Sequence, residues 1–304
     1  MNYKFPPPLK IGDTIAVIAP CSAAQKDKVE EGLAYLTDKG FIVKIANNLS
    51  NANGNMAGTK EERIDSLHDF WADPEVKALF CVRGGYGIHR ILPDLNYDLF
   101  RSDPKILVGY SDISALSCSI LAKSNLITYS GPMVASDMGE NFNLFSEEML
   151  WRTLMGYPKI PNPSKQPLIA YRKGNAEGFI IGGTLTVLLP FLGTSYMPNL
   201  KGAILVLEDI GENPGRLDRH FHHLKFQGVF DQISGLVLGK FEDCFPNDKD
   251  SVESLKEILD STLEDYDFPV LMNLAYGHIN RRVTLPFGAM AKISTDPPQF
   301  ELIK

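Results

Sequence analysis

Short apolar runs alternate with longer amphipathic segments through most of this chain, and that alternation limits its fold more than any other feature. The run Thr14–Ala19 is apolar after its first residue and stops at Pro20, as expected of a strand buried on both faces. Further strand-like runs lie at 41–45, 76–82 and 106–108, and segments with helical spacing lie at 24–39, 60–71 and 111–123. This β-α-β-α order predicts a mostly parallel sheet with helices on both faces.

A proline-rich stretch without periodicity begins at Gly156 and runs to Pro167, which is typical of a linker. A second α/β pattern follows, with strand-like runs at 203–207, 236–238 and 270–274, helical segments at 216–226 and 252–263, and short strand-like pieces near the end. We therefore predict an N-terminal α/β domain at 1–155, a linker at 156–172 and a smaller α/β domain at 173–304.

Composition narrows the class of partner and the compartment. The 304 residues include 30 basic and 37 acidic side chains, for a net charge of −7, and no basic cluster suggests nucleic-acid binding. No run approaches the roughly 18 apolar residues of a membrane helix, and the first apolar run is too short for a secretory signal. The four cysteines are scattered without a CxxC pair, which favours free thiols in a reducing compartment. We predict a cytoplasmic protein without nucleic-acid or membrane partners.

The turn Gly84-Gly85-Tyr86-Gly87 follows the predicted strand 76–82. Glycines allow a tight turn and expose backbone N–H groups. Three interpretations fit this turn. It could be a phosphate-binding loop, although neither GxxxxGKS/T nor GxGxxG is present; it could be a simple turn; or it could donate a hydrogen bond to an oxyanion beside a nucleophile.

Ser111 stands between the predicted strand 106–108 and the helix that follows, in the sequence Gly109-Tyr110-Ser111-Asp112. A serine on a sharp strand-to-helix turn can serve as a nucleophile, with the next N–H directed into the site. The helix N-terminus also favours negative charge that develops there. The match to GxSxG is partial, because Ile113 replaces the second glycine. A serine that only caps the helix is the alternative.

Two further titratable residues follow predicted strands of the second domain. Glu208 comes directly after 203–207, at the strand end where open α/β sheets bind ligands; Asp209 and Glu212 are neighbouring carboxylates that compete with it. His278 follows 270–274, and an imidazole titrates near neutral pH, as a general base requires. A structural loop histidine is the alternative.

Metal and thiol chemistry have weaker support. His220 and His223 share a face of the predicted helix 216–226, but HExxH is absent, and we predict a solvated histidine face and no metal. Cys81 and Cys118 are candidate thiol nucleophiles, yet neither lies at a predicted strand-to-helix turn.

Together these features resemble the LD-carboxypeptidase family of serine peptidases, which includes murein tetrapeptide LD-carboxypeptidases and microcin-immunity peptidases. The matching stretches follow the family's order: IAVIAPCSA from 15, VRGGYG from 82, GYSDISAL from 109, GPM from 131, GGTLTVL from 182, LVLEDIGENPGRLDR from 205 and YGHINRRVTLPFGAMA from 276. Two positions depart from the pattern in ways that bear on substrate contacts. The family often has Asn where Thr184 stands and an aromatic residue where Gly215 stands.

The resemblance implies a flavodoxin-like parallel-sheet N-terminal domain, a smaller α/β C-terminal domain, an active site between them and a homodimer. It implies a catalytic triad of Ser111, Glu208 and His278. The oxyanion donors fall on the N–H groups of Gly85 and Asp112. Neither a metal nor an organic cofactor is required.

The implied reaction is hydrolysis of an L,D-peptide bond that releases the terminal D-alanine from cytoplasmic murein tetrapeptide, in peptidoglycan recycling. This muropeptide carries free carboxylates, which Arg83 and Arg219 are predicted to bind; salt bridges that shape the loops are the alternative. Two other functions stay open: a microcin-immunity-like peptidase that cleaves an amide between an aminoacyl group and a nucleotide, and a non-catalytic α/β ligand-binding protein.

Overall fold

The chain divides into two units. Each unit is built on one large β-sheet. The computed structural model describes residues 3–156, 167–245 and 251–303. The first unit comprises Met1–Pro158 and Val283–Gly288, and the second comprises Lys159–Arg282 and Ala289–Lys304.

The elements of the described residues are as follows in chain order. The strands are β1 Thr14–Ile18, β2 Ile42–Ile45, β3 Ala52–Asn53, β4 Met56–Ala57, β5 Val76–Cys81, β6 Ile106–Val108, β7 Thr128–Ser130, β8 Ile169–Arg172, β9 Asn175–Thr184, β10 Ile204–Ile210, β11 Gly235–Glu242, β12 Val270–Met272, β13 Leu285–Phe287, β14 Met290–Thr295 and β15 Pro298–Leu302. The α-helices are α1 Lys26–Asp38, α2 Lys60–Ala72, α3 Tyr97–Ser102, α4 Ile113–Ser124, α5 Val134–Asp137, α6 Leu144–Leu154, α7 Leu185–Leu188, α8 Pro214–Phe226 and α9 Ser251–Leu263. Short 3-10 helices lie at Ile88–Arg90, Leu92–Asp94 and Leu189–Phe191.

The first unit is built on a sheet with the strand order β13-β7-β6-β5-β1-β2. Its neighbours pair in parallel from β2 to β7, and β13 adds an antiparallel edge. Taken in chain order, the five parallel strands have the 2-1-3-4-5 arrangement of flavodoxin-like folds. Strands β1 and β6 are buried along their whole length, which parallel strands covered on both faces require. The flavodoxin-like N-terminal domain predicted from the sequence is confirmed.

The second unit has a separate sheet with the order β15-β14-β9-β10-β11-β12-β8. Strands β9 to β12 run parallel, while β14, β15 and β8 pair antiparallel at the two sides. The C-terminal part is therefore a second α/β domain with a mixed sheet, as predicted. The carboxyl ends of β9, β10 and β12 lie at the same edge of the sheet, since these strands run in the same direction.

The structure differs from the sequence-based boundaries in two places. The first is the predicted linker 156–172, of which 157–166 lies outside the described residues, whereas Ile169–Arg172 forms strand β8 and pairs with β12. The second is Val283–Gly288, which the contacts group with the first unit although the predicted division assigns all residues after 172 to the second domain. This segment contains β13, whose partner is β7.

Strand β9 was not predicted, and its glycines explain why. Its sequence NAEGFIIGGT has three glycines, which weaken strand propensity. A Cβ at Gly182 would lie 1.9 Å from the carbonyl oxygen of Val206 on β10. The glycine is required by close backbone approach between the two central strands.

We expect Gly182→Ala to lower the free energy of unfolding by about 1–3 kcal/mol, because the added methyl group overpacks the β9–β10 contact. Gly215→Ala is the matched control, since its Cβ would meet Asn213 Oδ1 at 3.6 Å, an ordinary contact, within α8. The control should raise the free energy of unfolding by about 0.4–1 kcal/mol. Urea denaturation measures both, and equal stability of the two variants would contradict this account of β9.

Candidate active site

Ser111 lies in a turn whose backbone is strained. Strand β6 ends at Val108, helix α4 begins at Ile113, and Asp112 is the N-cap. Ser111 has a φ of 64°, a left-handed conformation that costs a side chain with a Cβ about 1–2 kcal/mol. Non-glycine residues in this region cluster at functional sites, and a nucleophile on a strand-to-helix elbow is one such case.

The capping interpretation of Ser111 does not fit the turn. The N-cap is Asp112, and no side-chain capping hydrogen bond is formed at this helix start. Within residues 3–156, 167–245 and 251–303, the Ser111 hydroxyl makes no hydrogen bond. The hydroxyl is therefore presented by the turn rather than used to close it.

The glycine turn after β5 packs against Ser111. A Cβ at Gly84 would lie 2.8 Å from the Cβ of Ser111, so glycine is needed for this approach. Gly85 is exposed with a φ of 114°. The N–H groups of Gly85 and Asp112 donate to no acceptor in the described part of the chain. The roles of these two N–H groups as oxyanion donors stay a prediction, and the N-terminal dipole of α4 begins at the turn that carries Ser111.

Ser22, in the loop after β1, holds the glycine turn. Its hydroxyl oxygen accepts a hydrogen bond from the N–H of Tyr86 at 3.2 Å, and its N–H donates to the carbonyl of Gly84 at 3.4 Å. A Cβ at Gly85 would lie 2.3 Å from the Ser22 hydroxyl oxygen. Ser22 lies within the first stretch that matches the family, but the resemblance implies no role for it.

A buried arginine joins the same two loops. Nη1 of Arg63, on α2, donates to the carbonyl oxygens of Pro20 at 3.1 Å and Gly87 at 3.0 Å. Burial lowers the pKa of this guanidinium. Sequence reasoning missed Arg63, although its spacing from Leu67 and Trp71 places a cation on the buried face of α2.

The side chain of Asp112 is buried. Its Oδ2 accepts a hydrogen bond from the N–H of Ile88 at 3.0 Å. Burial raises the pKa of this carboxyl group. Asp112 therefore ties the start of α4 to the end of the glycine turn.

Arg83 and Arg219, the predicted carboxylate-binding residues, are both exposed. Arg83 precedes the glycine turn, and Arg219 lies on α8. Neither forms a hydrogen bond or an ion pair with any residue that the structure describes. The alternative prediction, a salt bridge that shapes each loop, is therefore not observed among those residues.

Glu208 and His278 meet within the second unit. The Nδ1 of His278 lies 2.8 Å from Oε2 of Glu208, and the His278 backbone N–H donates to the same oxygen at 3.2 Å. A carboxylate at this distance makes Nδ1 the protonated nitrogen, which leaves the lone pair on Nε2. Glu208 is 1% exposed, so its charge interacts with the imidazole in a poorly solvated setting.

The loop between β12 and His278 is shaped by two glycines. A Cβ at Gly277 (φ 124°) would lie 2.7 Å from Oε2 of Glu208, and one at Gly239 on β11 would lie 3.2 Å from the Cβ of Glu208. The N–H of Lys240 donates to the carbonyl of Tyr276 at 2.9 Å. This backbone contact holds the loop along the end of β11 and brings His278 to Glu208.

The competing carboxylates have other partners. Asp209 accepts hydrogen bonds from the N–H groups of Thr186 and Ile210, both at 2.9 Å, and burial raises its pKa. Glu212 lies 3.5 Å from Nη1 of Arg216. Of the three acidic residues near the end of β10, Glu208 is therefore the one paired with His278.

The remaining alternatives gain no support. Cys81 and Cys118 are buried, Cys118 lies inside α4, and burial raises the pKa of the Cys81 thiol. The described residues contain no group of three or more His, Cys, Asp or Glu side chains placed to hold a metal ion. None of the helices described has the length and apolar character needed to cross a membrane.

We expect Ser111→Gly to be more stable than Ser111→Ala by about 0.5–1 kcal/mol, because glycine relieves the left-handed strain but loses more chain entropy on folding. The Ala variant is the matched reference, since it also lacks the hydroxyl and keeps the Cβ. Thermal unfolding of the two variants measures the difference. An Ala variant more stable than the Gly variant by about 0.5–1 kcal/mol, the entropic cost of glycine alone, would show that the turn carries no strain.

Comparisons with known proteins show which family the chain belongs to. The family model described as the LD-carboxypeptidase N-terminal domain matches residues 15–131, and the LD-carboxypeptidase C-terminal domain matches residues 177–293. The probable murein peptide carboxypeptidase of Bacillus subtilis (strain 168) is 33% identical over 296 residues, which cover 97% of this chain and 92% of that protein.

Two further matches extend the comparison. The murein tetrapeptide carboxypeptidase of Pseudomonas aeruginosa is 32% identical over 292 residues, 92% of this chain and 93% of that protein. The solved structure of MccF in complex with glutamyl sulfamoyl guanosine superposes with a TM-score of 0.87 at 28% identity and covers 98% of both chains. The chain therefore belongs to the LD-carboxypeptidase family and is a serine-type hydrolase.

Proposed function

We propose that this enzyme hydrolyses the L,D-peptide bond of cytoplasmic murein tetrapeptide and releases its terminal D-alanine. Ser111 is the nucleophile, His278 the general base and Glu208 the group that orients the base. The observation that carries the proposal is the 2.8 Å contact between His278 Nδ1 and the buried Glu208 carboxylate. The murein peptides in the names of two relatives support the substrate class.

The first half of the reaction forms an acyl-enzyme. His278 Nε2 accepts the Ser111 hydroxyl proton as Oγ attacks the carbonyl carbon of the scissile bond. The N–H groups of Gly85 and Asp112 donate hydrogen bonds to the oxyanion. The tetrahedral intermediate then collapses, the C–N bond breaks, and the imidazolium gives its proton to the nitrogen of the departing D-alanine.

The second half regenerates the enzyme. His278 takes a proton from a water molecule, whose oxygen attacks the ester carbonyl, and the imidazolium returns that proton to Ser111 Oγ as the ester bond breaks. The products are free D-alanine and the tripeptide carboxylate. Throughout the cycle, Glu208 holds the imidazole in the tautomer with Nδ1 protonated and stabilises its charged form. The chemistry proposed uses no metal and no organic cofactor.

Substrate carboxylates fit the two unpaired guanidinium groups. Arg83 is adjacent to the glycine turn that packs against Ser111 and, like Arg219, is exposed without an ion-pair partner among the described residues. A guanidinium binds a carboxylate through two parallel hydrogen bonds. We propose Arg83 as a carboxylate-binding residue and Arg219 as a second one.

The homodimer implied by the resemblance stays a prediction, which light scattering in solution tests.

The second candidate is a microcin-immunity-like amidase that acts on an aminoacyl-nucleotide. It is favoured by one observation, the likeness to MccF, whose solved structure contains glutamyl sulfamoyl guanosine. The same Ser111, Glu208 and His278 would serve, because both substrates present a carbonyl to a serine nucleophile. Because the chain belongs to a family of hydrolases, the alternative of a non-catalytic binding protein has no support.

Release of D-alanine from purified murein tetrapeptide tests the proposal. We expect turnover by the wild type, and a kcat at least about 10³-fold lower in Ser111→Ala, His278→Ala and Glu208→Gln, because each change disables one part of a cooperating triad. Parallel incubation with an aminoacyl sulfamoyl nucleoside compares the two candidates. Faster cleavage of the nucleoside would favour the second candidate, and retained activity in His278→Ala would refute the assigned base.

The role of Arg83 is tested with a separate variant in the same assay. Arg83→Gln should raise KM for the tetrapeptide by about 10-fold or more, the loss expected of one charge-assisted hydrogen-bond pair. Arg152→Gln, an exposed arginine paired with Glu148 on α6, is the control and should leave KM unchanged. An unchanged KM in Arg83→Gln would remove this residue from the binding site.

A further inference from the structure

Thr184 contacts Glu208 on the side opposite His278. The two residues are register partners on the parallel strands β9 and β10. The hydroxyl of Thr184 donates to Oε1 of Glu208 at 2.5 Å, and the two residues are 4% and 1% exposed. Donors from His278 occupy the other oxygen, Oε2. Each oxygen of the carboxylate therefore has a fixed partner.

The local chain supports this use of the hydroxyl. Thr184 is the N-cap residue of α7, a position where threonine usually accepts a hydrogen bond from the helix. Its side chain makes no capping bond. Asp209 takes over that task, since its Oδ2 accepts from the N–H of Thr186 at 2.9 Å. Because Asp209 caps α7, the Thr184 hydroxyl is directed at Glu208 instead.

A buried carboxylate needs such a donor. Burial of an ionised carboxylate is strongly unfavourable unless its oxygens are hydrogen-bonded. A β-branched threonine on a strand has a restricted χ1 angle, so its hydroxyl is a rigid anchor. With Oε1 fixed by β9, rotation of the carboxylate away from Nδ1 of His278 would break a second, charge-assisted hydrogen bond.

We infer that Thr184 is a positioning residue, which holds the Glu208 carboxylate in the orientation that directs Oε2 to the imidazole of His278. The inference rests on the proposed function, because it concerns the residue that orients the proposed base. The role inferred for Thr184 differs from the one expected from the sequence, where its departure from the family's Asn bears on substrate contacts.

Kinetics of the full-length Thr184→Val variant test the inference. Valine keeps the shape and removes the donor, and we expect kcat for D-alanine release to fall by about 10–100-fold, the effect of one hydrogen bond to a charged group. The KM should stay within about twofold, since the substrate is not touched. Thr184→Ser restores the donor and should recover most of kcat. Thr184→Ala serves in place of valine if that variant does not fold.

Thr186→Val is the matched control. It deletes the same hydroxyl two residues away, where the partner is Asp209, and it should keep the wild-type kcat. The low-field proton NMR signal of His278 Nδ1–H gives a second measure, and we expect it to broaden or shift in Thr184→Val and to persist in Thr186→Val.

Three results separate the outcomes. A fall in kcat confined to Thr184→Val, with recovery in Thr184→Ser, supports the inference. A wild-type kcat in Thr184→Val, or an equal loss in Thr186→Val, overturns it while Glu208→Gln and His278→Ala remain inactive. Full activity of His278→Ala would instead show that the proposed function itself is wrong and would remove the basis of the inference.

Discussion

A buried carboxylate is the constraint around which the second unit is organised. Glu208 is 1% exposed, and an ionised group in such a place is tolerated only if its oxygens are hydrogen-bonded. Its partners come from opposite sides of β10: a hydroxyl on β9, and the imidazole and N–H that follow β12. Glycines at 239 and 277 leave the space in which these groups approach.

In the first unit the corresponding constraint lies in the backbone. Ser111 has the left-handed conformation that serine rarely adopts. Its turn is held by packing against Gly84 and by the Asp112 carboxylate, which binds the N–H of Ile88. Arg63 and Ser22 hold the adjacent loops through their hydrogen bonds. These contacts hold the backbone of the turn and of the adjacent loops in place, and under the proposed function they would limit reorganisation during the reaction.

Much of this arrangement could be predicted from the sequence, and the exceptions have physical reasons. The sequence predicts the apolar runs of β1 and β6 and the titratable residues that follow strands, because burial and strand direction leave periodic signals. Strand β9 is not predicted, since its glycines reflect close contact with β10 rather than strand propensity. The choice between a capping and a nucleophilic Ser111 depends on a φ angle, which composition does not encode. The partner of Thr184 depends on the register between β9 and β10, which no local pattern reveals.

Reaction with a labelled fluorophosphonate, mapped by peptide mass spectrometry, tests the central claim most directly: Ser111 is a nucleophile activated by His278. The account predicts a single labelled serine, Ser111, in the wild type. It also predicts a labelling rate lower by at least about 10²-fold in His278→Ala, because general-base catalysis contributes that much or more. Label on another residue, or equal labelling rates of Ser111 in the two proteins, would contradict it.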